Sequence, residues 1–391
     1  MSSFGAKKFF IKTYGCQANV ADSNKTRGML ENLGFEEIPE PKSSKNELES
    51  LKQIISKADL FIINTCSVRQ KAEDKVYGLG KIFKNLKKKP FVVLCGCMVG
   101  SATGDRARMR FKDLRRKTPW VDLYVNPSQI GELPNLLEVR PPHFVPPNGG
   151  TTWGIRAFVT ISSGCDNFCT YCVVPYARGE ETHKTEGEIM TEIENLVKKG
   201  ITSVTLCGQN VNSWGLSRSE KFKIRAGSSQ KLPFANLLRK IHDIKDIEKI
   251  EFISSNPFDF TQDLIDVFNL PKISNYLHIA VQSGNNDMLT RMNRRHTVED
   301  FIALVKKIRE VRPNIEIGTD ALVGFPGETR KQFLDTVKLF RRINFAVAFI
   351  AMYSPREGTT AFKNFHDDVS PSEKKYRHAY LMKVWQESKK R

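Results

Sequence analysis

Three times within residues 8–97 a short apolar run ends on a cysteine and gives way to a polar stretch: FFIKTYGC at Cys16, DLFIINTC at Cys66 and PFVVLCGC at Cys97. The first run is followed by a helical segment through Leu33 with Gly34 as its stop. The second is followed by SVRQKAEDKVYGLGKIFKNLKKK, also helical in character. Strand, turn and helix repeated at this spacing predict a parallel, doubly wound sheet. The strands of such a sheet open at their carboxyl ends into one crevice, where ligands bind. Cys16, Cys66 and Cys97 each fall where a strand hands over to its helix, so three thiols are expected to converge there. A single buried cysteine at a strand end is ordinary packing; the repetition is what carries meaning. Cys95 still lies inside the apolar run FVVLC and reads as a packing residue, whereas Cys97 occupies the turn.

What three converging thiols do depends on their redox compartment. The start of the chain, MSSFGAKKFFIKTYGC, has no signal-peptide core, and no stretch approaches the roughly 18 apolar residues of a membrane span. A cytoplasmic location with no membrane partner is therefore expected. There, eight cysteines favour metal ligation or redox chemistry over disulfides. Lys and Arg number 61 against 43 Asp and Glu, a net charge of +18. Such an excess points to a polyanionic partner, with simple solubility as the plainer account.

At 391 residues the chain exceeds what one hydrophobic core organises, which predicts two domains. The text between Glu138 and Trp153, VRPPHFVPPNGGTT, reads as a linker. After it come six further strand-like runs, AFVTISSGC, SVTLCGQN, KIEFISSN, LHIAVQSG, IEIGTDALVGFPGE and FAVAFIAMYSP, mostly separated by amphipathic helices. Six such units predict a complete or partial parallel barrel with its working face at the strand C-termini. The expected organisation is residues 6–140, a linker at 141–152, a barrel at 153–370 and a basic C-terminal helix at 371–391. The stretch Leu216 to Gln230, LSRSEKFKIRAGSSQ, reads as a surface loop.

At the end of the first barrel strand stands GCDNFCTYC, a C-x-x-x-C-x-x-C arrangement of Cys165, Cys169 and Cys172. Three thiolates in one loop can hold three corners of a cubane iron-sulfur cluster and leave the fourth iron open to a ligand. Zinc is the competing metal, but a structural zinc site takes four closed ligands, and the only other cysteine in this half is Cys207 on the next strand.

Longer words extend the pattern: TYGCQAN (Thr13 to Asn19), NTCSVRQKAEDKVYG (Asn64 to Gly78), GCM (Gly96 to Met98) and SGCDNFCTYCVVPYARGEE (Ser163 to Glu181). CGQNVNSW (Cys207 to Trp214), HIAVQSGNNDMLTRMNRRHT (His278 to Thr297), TDALVGFPGET (Thr319 to Thr329) and YSPREGT (Tyr353 to Thr359) follow in order. With these words the chain resembles the radical S-adenosylmethionine methylthiotransferases over nearly its whole length. The resemblance implies an α/β protein, an N-terminal doubly wound parallel sheet followed by a partial (β/α) barrel radical-SAM domain. It implies two [4Fe-4S] clusters, one on Cys165, Cys169 and Cys172 and an auxiliary one on Cys16, Cys66 and Cys97. It also implies two S-adenosylmethionine molecules per turnover, one methylating a sulfur supplied by the auxiliary cluster and one cleaved to a 5′-deoxyadenosyl radical that activates the substrate C–H bond. An electron donor such as flavodoxin or ferredoxin and a sulfur or cluster delivery system are the implied partners.

Gln209, Asn210, Ser254, Ser255, Gln282, Ser283 and Asp320 fall at or near strand ends, close to the expected S-adenosylmethionine, with ordinary loop polarity as the alternative. Gly324 and Gly327 permit either a tight turn or a close backbone approach to ligand. Tyr176 and Arg178 either order the cluster loop, touch substrate or are solvated.

Branches of the family differ in target: isopentenylated adenosine beside the anticodon of tRNA, threonylcarbamoyl adenosine in tRNA, and an aspartate of a ribosomal protein. GCQAN resembles the GCQMN of the first branch, with Ala18 in place of Met, and QSG at Gln282 to Gly284 resembles the tRNA branches. The expected function is therefore methylthiolation of carbon 2 of isopentenyladenosine in tRNA. The positive charge agrees with that target. A non-catalytic iron-sulfur RNA-binding protein and a zinc module are the readings from other classes. Family members usually carry a C-terminal RNA-binding β-barrel; this sequence runs to Arg391 in one basic helix, and that barrel is expected to be absent, either because the sequence is a fragment or because RNA is bound by the two main domains and the basic tail, with Lys389, Lys390 and Arg391 expected to supply phosphate contacts.

Overall fold

The computed structural model describes residues 7–40, 47–68, 70–84, 86, 88–137, 151–153, 155–224 and 230–389. The chain divides into two units, Met1–Thr151 with Val173–Glu180, and Thr152–Cys172 with Glu181–Arg391.

In the first unit, β1 (Lys8–Tyr14), β2 (Glu36–Glu37), β3 (Leu60–Thr65), β4 (Phe91–Gly96) and β5 (Leu123–Val125) form one sheet in the order β2-β1-β3-β4-β5. The pairs β1–β2, β1–β3, β3–β4 and β4–β5 are all parallel. This is the doubly wound order whose direction of winding reverses between β1 and β3, so a crevice opens at their carboxyl ends. Alternation along each strand sends side chains to both faces. Phe10, Phe61, Ile63, Val92 and Leu94 pack against the helices Glu47–Lys57 and Gln70–Phe83. On the other face Phe9, Ile11, Leu60, Ile62, Val93 and Cys95 meet Met29, Leu30, Ile130 and Leu133. Both faces are covered, which is why the strands read as unbroken apolar runs.

The second unit contains β6 (Thr151–Trp153), β7 (Arg156–Thr160), the short antiparallel pair β8 (Ser162–Ser163) and β9 (Thr182–His183), then β10 (Ser203–Cys207), β11 (Lys249–Phe252), β12 (Tyr276–His278), β13 (Glu316–Val323) and β14 (Val347–Met352). Parallel ladders join β7, β10 and β11, and another set joins β12, β13 and β14. The parallel bridge Ser255↔Ile279 links the two sets. The six strands the sequence predicts thus stand side by side in chain order as an open arc, a partial barrel. Three of its longer helices start at capping boxes. Thr185 with Glu188, Thr297 with Asp300 and Thr329 with Gln332 each cap reciprocally. Their apolar faces close one core over the outer side of the arc, including Ile193, Phe234, Phe301 and Phe340.

One segment differs from the sequence reading. Leu216 to Gln230 contains a helix, Arg218–Lys223, capped by Ser217 and Glu220, with Leu216, Lys221 and Ile224 buried; residues 225–229 lie outside the described residues. The high polarity of the segment hides its few anchoring residues. The expected C-terminal helix spans Pro371–Ser388, and its Leu381 and Val384 enter the barrel core. Most of the linker, 141–150, lies outside the described residues.

Candidate active site

In the first unit Cys16 caps the helix Gln17–Asn32, Cys66 follows β3, and Cys97 opens the helix Cys97–Thr103. The structure brings these thiols together: Cys66 lies within hydrogen-bonding reach of both Cys16 and Cys97. Contact with the Cys66 thiol, foremost, lowers Cys16 to about 5 and Cys97 to about 6, while the same two contacts push Cys66 up. The Val68 N–H donates to Cys66 Sγ at 3.2 Å. Cys95, by contrast, is buried in the apolar layer beside Val93, and burial pushes its thiol up.

The words around these thiols build their frame. Asn19 Nδ2 donates to Asn64 Oδ1 at 2.9 Å, Asn64 Nδ2 donates to the Asn19 carbonyl at 2.8 Å, and Cys16 N–H donates to Asn19 Oδ1 at 3.3 Å. Two buried amides therefore lock the turn after β1 to the end of β3. Arg108 Nη2 donates to Ser67 Oγ at 2.6 Å and to Glu73 Oε1 at 3.1 Å, fixing the chain just after Cys66. Arg178 is not solvated: its Nε lies 3.3 Å from Cys97 Sγ and its Nη2 donates to Asp22 Oδ2 at 2.7 Å.

In the second unit Cys165, Cys169 and Cys172 share one loop, Cys165 buried and the others partly so. Burial, foremost, and the neighbouring Cys172 push the Cys165 thiol up. The loop is braced by the segment after the helix Asn286–Arg291. Asn293 Nδ2 donates to the carbonyls of Asn167 at 3.2 Å and Phe168 at 3.1 Å, and the Thr170 N–H donates to the Met292 carbonyl at 3.1 Å. Phe168 is held at φ 46°, a left-handed conformation that a bulky side chain adopts only where the surroundings impose it. Arg294 Nη1 lies 3.5 Å from Cys169 Sγ and 3.0 Å from Asn256 Oδ1, and its Nη2 donates to the Ala280 carbonyl at 2.7 Å.

The donor chemistry fits iron-sulfur clusters in both places. Each has three cysteines free of disulfides and a buried arginine N–H aimed at one sulfur, the hydrogen bonding that cluster thiolates accept. Among the described residues no three metal-ligating side chains are gathered around the position of a single ion.

The polar residues expected near S-adenosylmethionine divide. Ser255 is buried with no partner for its Oγ among the described residues, and its neighbour Ser254 and Gln282 have φ of 68° and 72° at their strand ends. Asn210 is already engaged, donating to Ser213 Oγ at 2.5 Å and accepting from Asn256. Gln209 is half-buried beside it. Ser283 is buried beside Thr336. Asp320 Oδ2 pairs with His278 Nε2 at 2.9 Å, and Tyr276 hydroxyl meets His278 Nδ1 at 3.1 Å. Gly324 and Gly327 have φ of 68° and 78°, a conformation glycine adopts freely, and their N–H groups donate to the carboxylates of Glu328 at 2.7 Å and Asp368 at 2.6 Å. Sequence reasoning missed Arg294, His278, Asn19 and Asn64. They stood inside the quoted words, but nothing in their spacing marks a side chain as buried.

Residues 8–125 match the family described as Uncharacterized protein family UPF0004, and residues 159–340 match the Radical SAM superfamily. A tRNA-2-methylthio-N(6)-dimethylallyladenosine synthase of Geobacter sulfurreducens is 36% identical over 98% of this chain and 83% of its own length. Its namesakes from Clostridium tetani and Enterobacter sp. are each 37% identical, over 96% and 95% of this chain and 80% and 76% of theirs. Among solved structures, the radical S-adenosylmethionine methyltransferase TsrM of Kitasatospora setae aligns with a TM-score of 0.60 at 15% identity, over 92% of this chain and 74% of that one. That likeness speaks for the fold. The identity of more than a third over nearly the whole chain, together with two sets of three thiols on the expected turns, places this chain in the radical S-adenosylmethionine methylthiotransferase family.

Proposed function

We propose that this enzyme inserts a methylthio group at carbon 2 of isopentenyladenosine beside the anticodon of tRNA, using two [4Fe-4S] clusters and S-adenosylmethionine. The observation that carries the reading is the convergence of Cys16, Cys66 and Cys97 at the carboxyl edge of the first sheet, in a chain that also holds Cys165, Cys169 and Cys172 on one barrel loop. Three thiolates leave one iron of a cubane without a protein ligand, which suits a substrate-binding role in each place. The names of the relatives support tRNA as the substrate, and +18 supports binding to a polyanion.

In this reading residues 6–140 form the domain of the auxiliary cluster and 153–370 the radical-SAM core. When bound, the clusters supply an electron to the sulfonium of S-adenosylmethionine and a sulfur atom for transfer; the protein orients both. Arg294 and Asn293 fix the loop of Cys165, Cys169 and Cys172, and Ser255 offers the cofactor a hydroxyl with no other partner among the described residues. Gln209, Asn210, Gln282 and Asp320 complete the rim at the strand ends. Flavodoxin or ferredoxin would deliver the electron, and a sulfur or cluster delivery system would replenish what turnover removes.

The test is nucleoside mass spectrometry of tRNA from cells with and without the gene, joined to assay of the anaerobically reconstituted enzyme on isopentenylated tRNA. Modification of threonylcarbamoyl adenosine or a ribosomal protein with isopentenylated tRNA left untouched would overturn the branch. Absence of S-adenosylmethionine cleavage would favour a non-catalytic iron-sulfur protein. Anaerobic reconstitution should give about eight irons per chain, and Cys165, Cys169 and Cys172 changed together to Ala should leave about half.

A further inference from the structure

Arg178 follows the barrel cluster loop in sequence, yet the segment that carries it, Val173–Glu180, packs as part of the first unit. The short helix Val174–Ala177 lies so close to the helix Cys97–Thr103 that a Cβ on Gly100 would stand 1.8 Å from the Ala177 carbonyl oxygen. That approach is open only to glycine, and it sets the position of Arg178 at the end of the short helix. From there the side chain, 5% exposed, reaches two helices at once. Its Nε meets Cys97 at the start of one, and its Nη2 meets Asp22 on the other, which begins beside Cys16.

We propose that Arg178 is a positioning residue for the sulfur-bearing centre of the first unit, holding Cys97 by an N–H···S hydrogen bond and setting the electrical potential at the group which Cys16, Cys66 and Cys97 bind. The inference rests on the reading of those three thiols as cluster ligands. A guanidinium keeps its charge at any working pH, and its rigid planar fork holds donors in two fixed directions, one to a carboxylate and one to a sulfur, where an ammonium offers a flexible point charge. Burying such a charge demands compensation. Asp22 supplies one negative partner, and the remaining direction of the fork faces thiolate sulfur. A positive charge and a donated hydrogen bond there stabilise the more negative, reduced form of a cluster more than the oxidised form, so they raise its midpoint potential.

The test uses the full chain with Cys165, Cys169 and Cys172 all changed to Ala, anaerobically reconstituted, so that only the first unit contributes iron. Potentiometric titration is read by electron paramagnetic resonance of the reduced form. Arg178→Met should lower the midpoint potential and change the resonance line shape, and Arg178→Lys should lower it less. Gly100→Ala keeps the charge but pushes Ala177 and Arg178 away from Cys97, so it should move the potential in the same direction. If Arg178→Met does not hold iron, Arg178→Lys and Gly100→Ala carry the comparison. Loaded variants with the parent's potential and line shape would overturn the inference while leaving the ligand reading intact. A parent that takes up no iron at all would overturn that reading, and the inference with it.

Discussion

Cys95 and Cys97 flank Gly96, yet their surroundings give them opposite character. Cys95 sits in an apolar layer that holds its thiol protonated, while Cys97 faces Cys66 and Arg178. With Cys16, Cys66 and Cys97 as the proposed ligands, Cys97→Ala should lose the iron expected in the first unit and Cys95→Ala should keep it; iron analysis of the two variants decides, and loss only in Cys95→Ala would reverse the assignment. His296 offers a prediction away from the thiols. Its ring is buried between Phe258 and Phe301, and burial, foremost, with the neighbouring Arg294 lowers its pKa to about 2. The unfolded chain takes up a proton near pH 6.5 that the native ring refuses, so this residue's stability is fully present above 6.5 and is lost as pH falls towards 2. The loss amounts to about 1.4 kcal/mol per pH unit in that window. Denaturant titrations of His296→Phe should show a flatter fall between pH 6.5 and 5 than the parent does. The thiols were legible in the sequence because a parallel sheet must gather its strand ends. Arg294 was not, and Arg178 was singled out without its partners Cys97 and Asp22, since an arginine in a basic chain is buried or solvated according to contacts from remote parts of the chain.

Elements convert these residue preferences into position. Gly96 has φ 90° as it caps the helix beginning at Cys97, and a Cβ there would meet Asn64 Oδ1 at 2.4 Å and the Thr65 carbonyl at 2.6 Å. Gly96→Ala should displace Cys97 and empty the first unit of iron while the barrel loop keeps its share, as iron counts with and without the barrel cysteines would show. At the other end of the chain, the helix Pro371–Ser388 is held by more than its basic face. Leu381 is fully buried in the barrel core, and Arg377 pairs with Glu328 at 2.7 Å. Leu381→Ala should cost about 3 kcal/mol, seen as a lower urea midpoint. Strands and helices with clean periodicity were plain in the sequence. The docking of this final helix was hidden because its many charges mask the few apolar residues that anchor it, and several of those charges are spent on internal ion pairs such as Lys374 with Asp367. Lys389 lies over the Trp385 ring, while Lys390 and Arg391, expected to touch phosphate, lie outside the described residues.

Across the whole molecule the excess of 61 basic over 43 acidic residues has a measurable counterpart. Binding to tRNA should weaken at least about tenfold between about 50 and 200 mM salt, with a linear plot of log affinity against log salt, because each phosphate contact releases counterions. A salt-independent affinity in filter binding would remove charge as the source of recognition. Among the described residues no helix is long and apolar enough to cross a membrane. The parallel, doubly wound class of the first sheet and the partial barrel of the second followed from the sequence, since parallel α/β units are nearly forced once strands and helices alternate; the order β2-β1-β3-β4-β5 did not, because the short edge strands β2 and β5 carry no clear apolar run. The grouping of Val173–Glu180 with the first unit did not follow, because it depends on one close backbone approach at Gly100 and not on any periodicity.

That grouping has a consequence for biosynthesis. A chain emerging from the ribosome N-terminus first can usually finish one domain before the next appears. Here the segment that covers Gly100 and brings Arg178 to Cys97 is made only after β7, β8 and the loop of Cys165, Cys169 and Cys172. The first unit must therefore wait, its thiol edge lacking its cover, until the start of the second has been synthesised. A nascent chain stalled with residue 151 just outside the exit tunnel should accordingly be cut by protease faster than one stalled with residue 180 there.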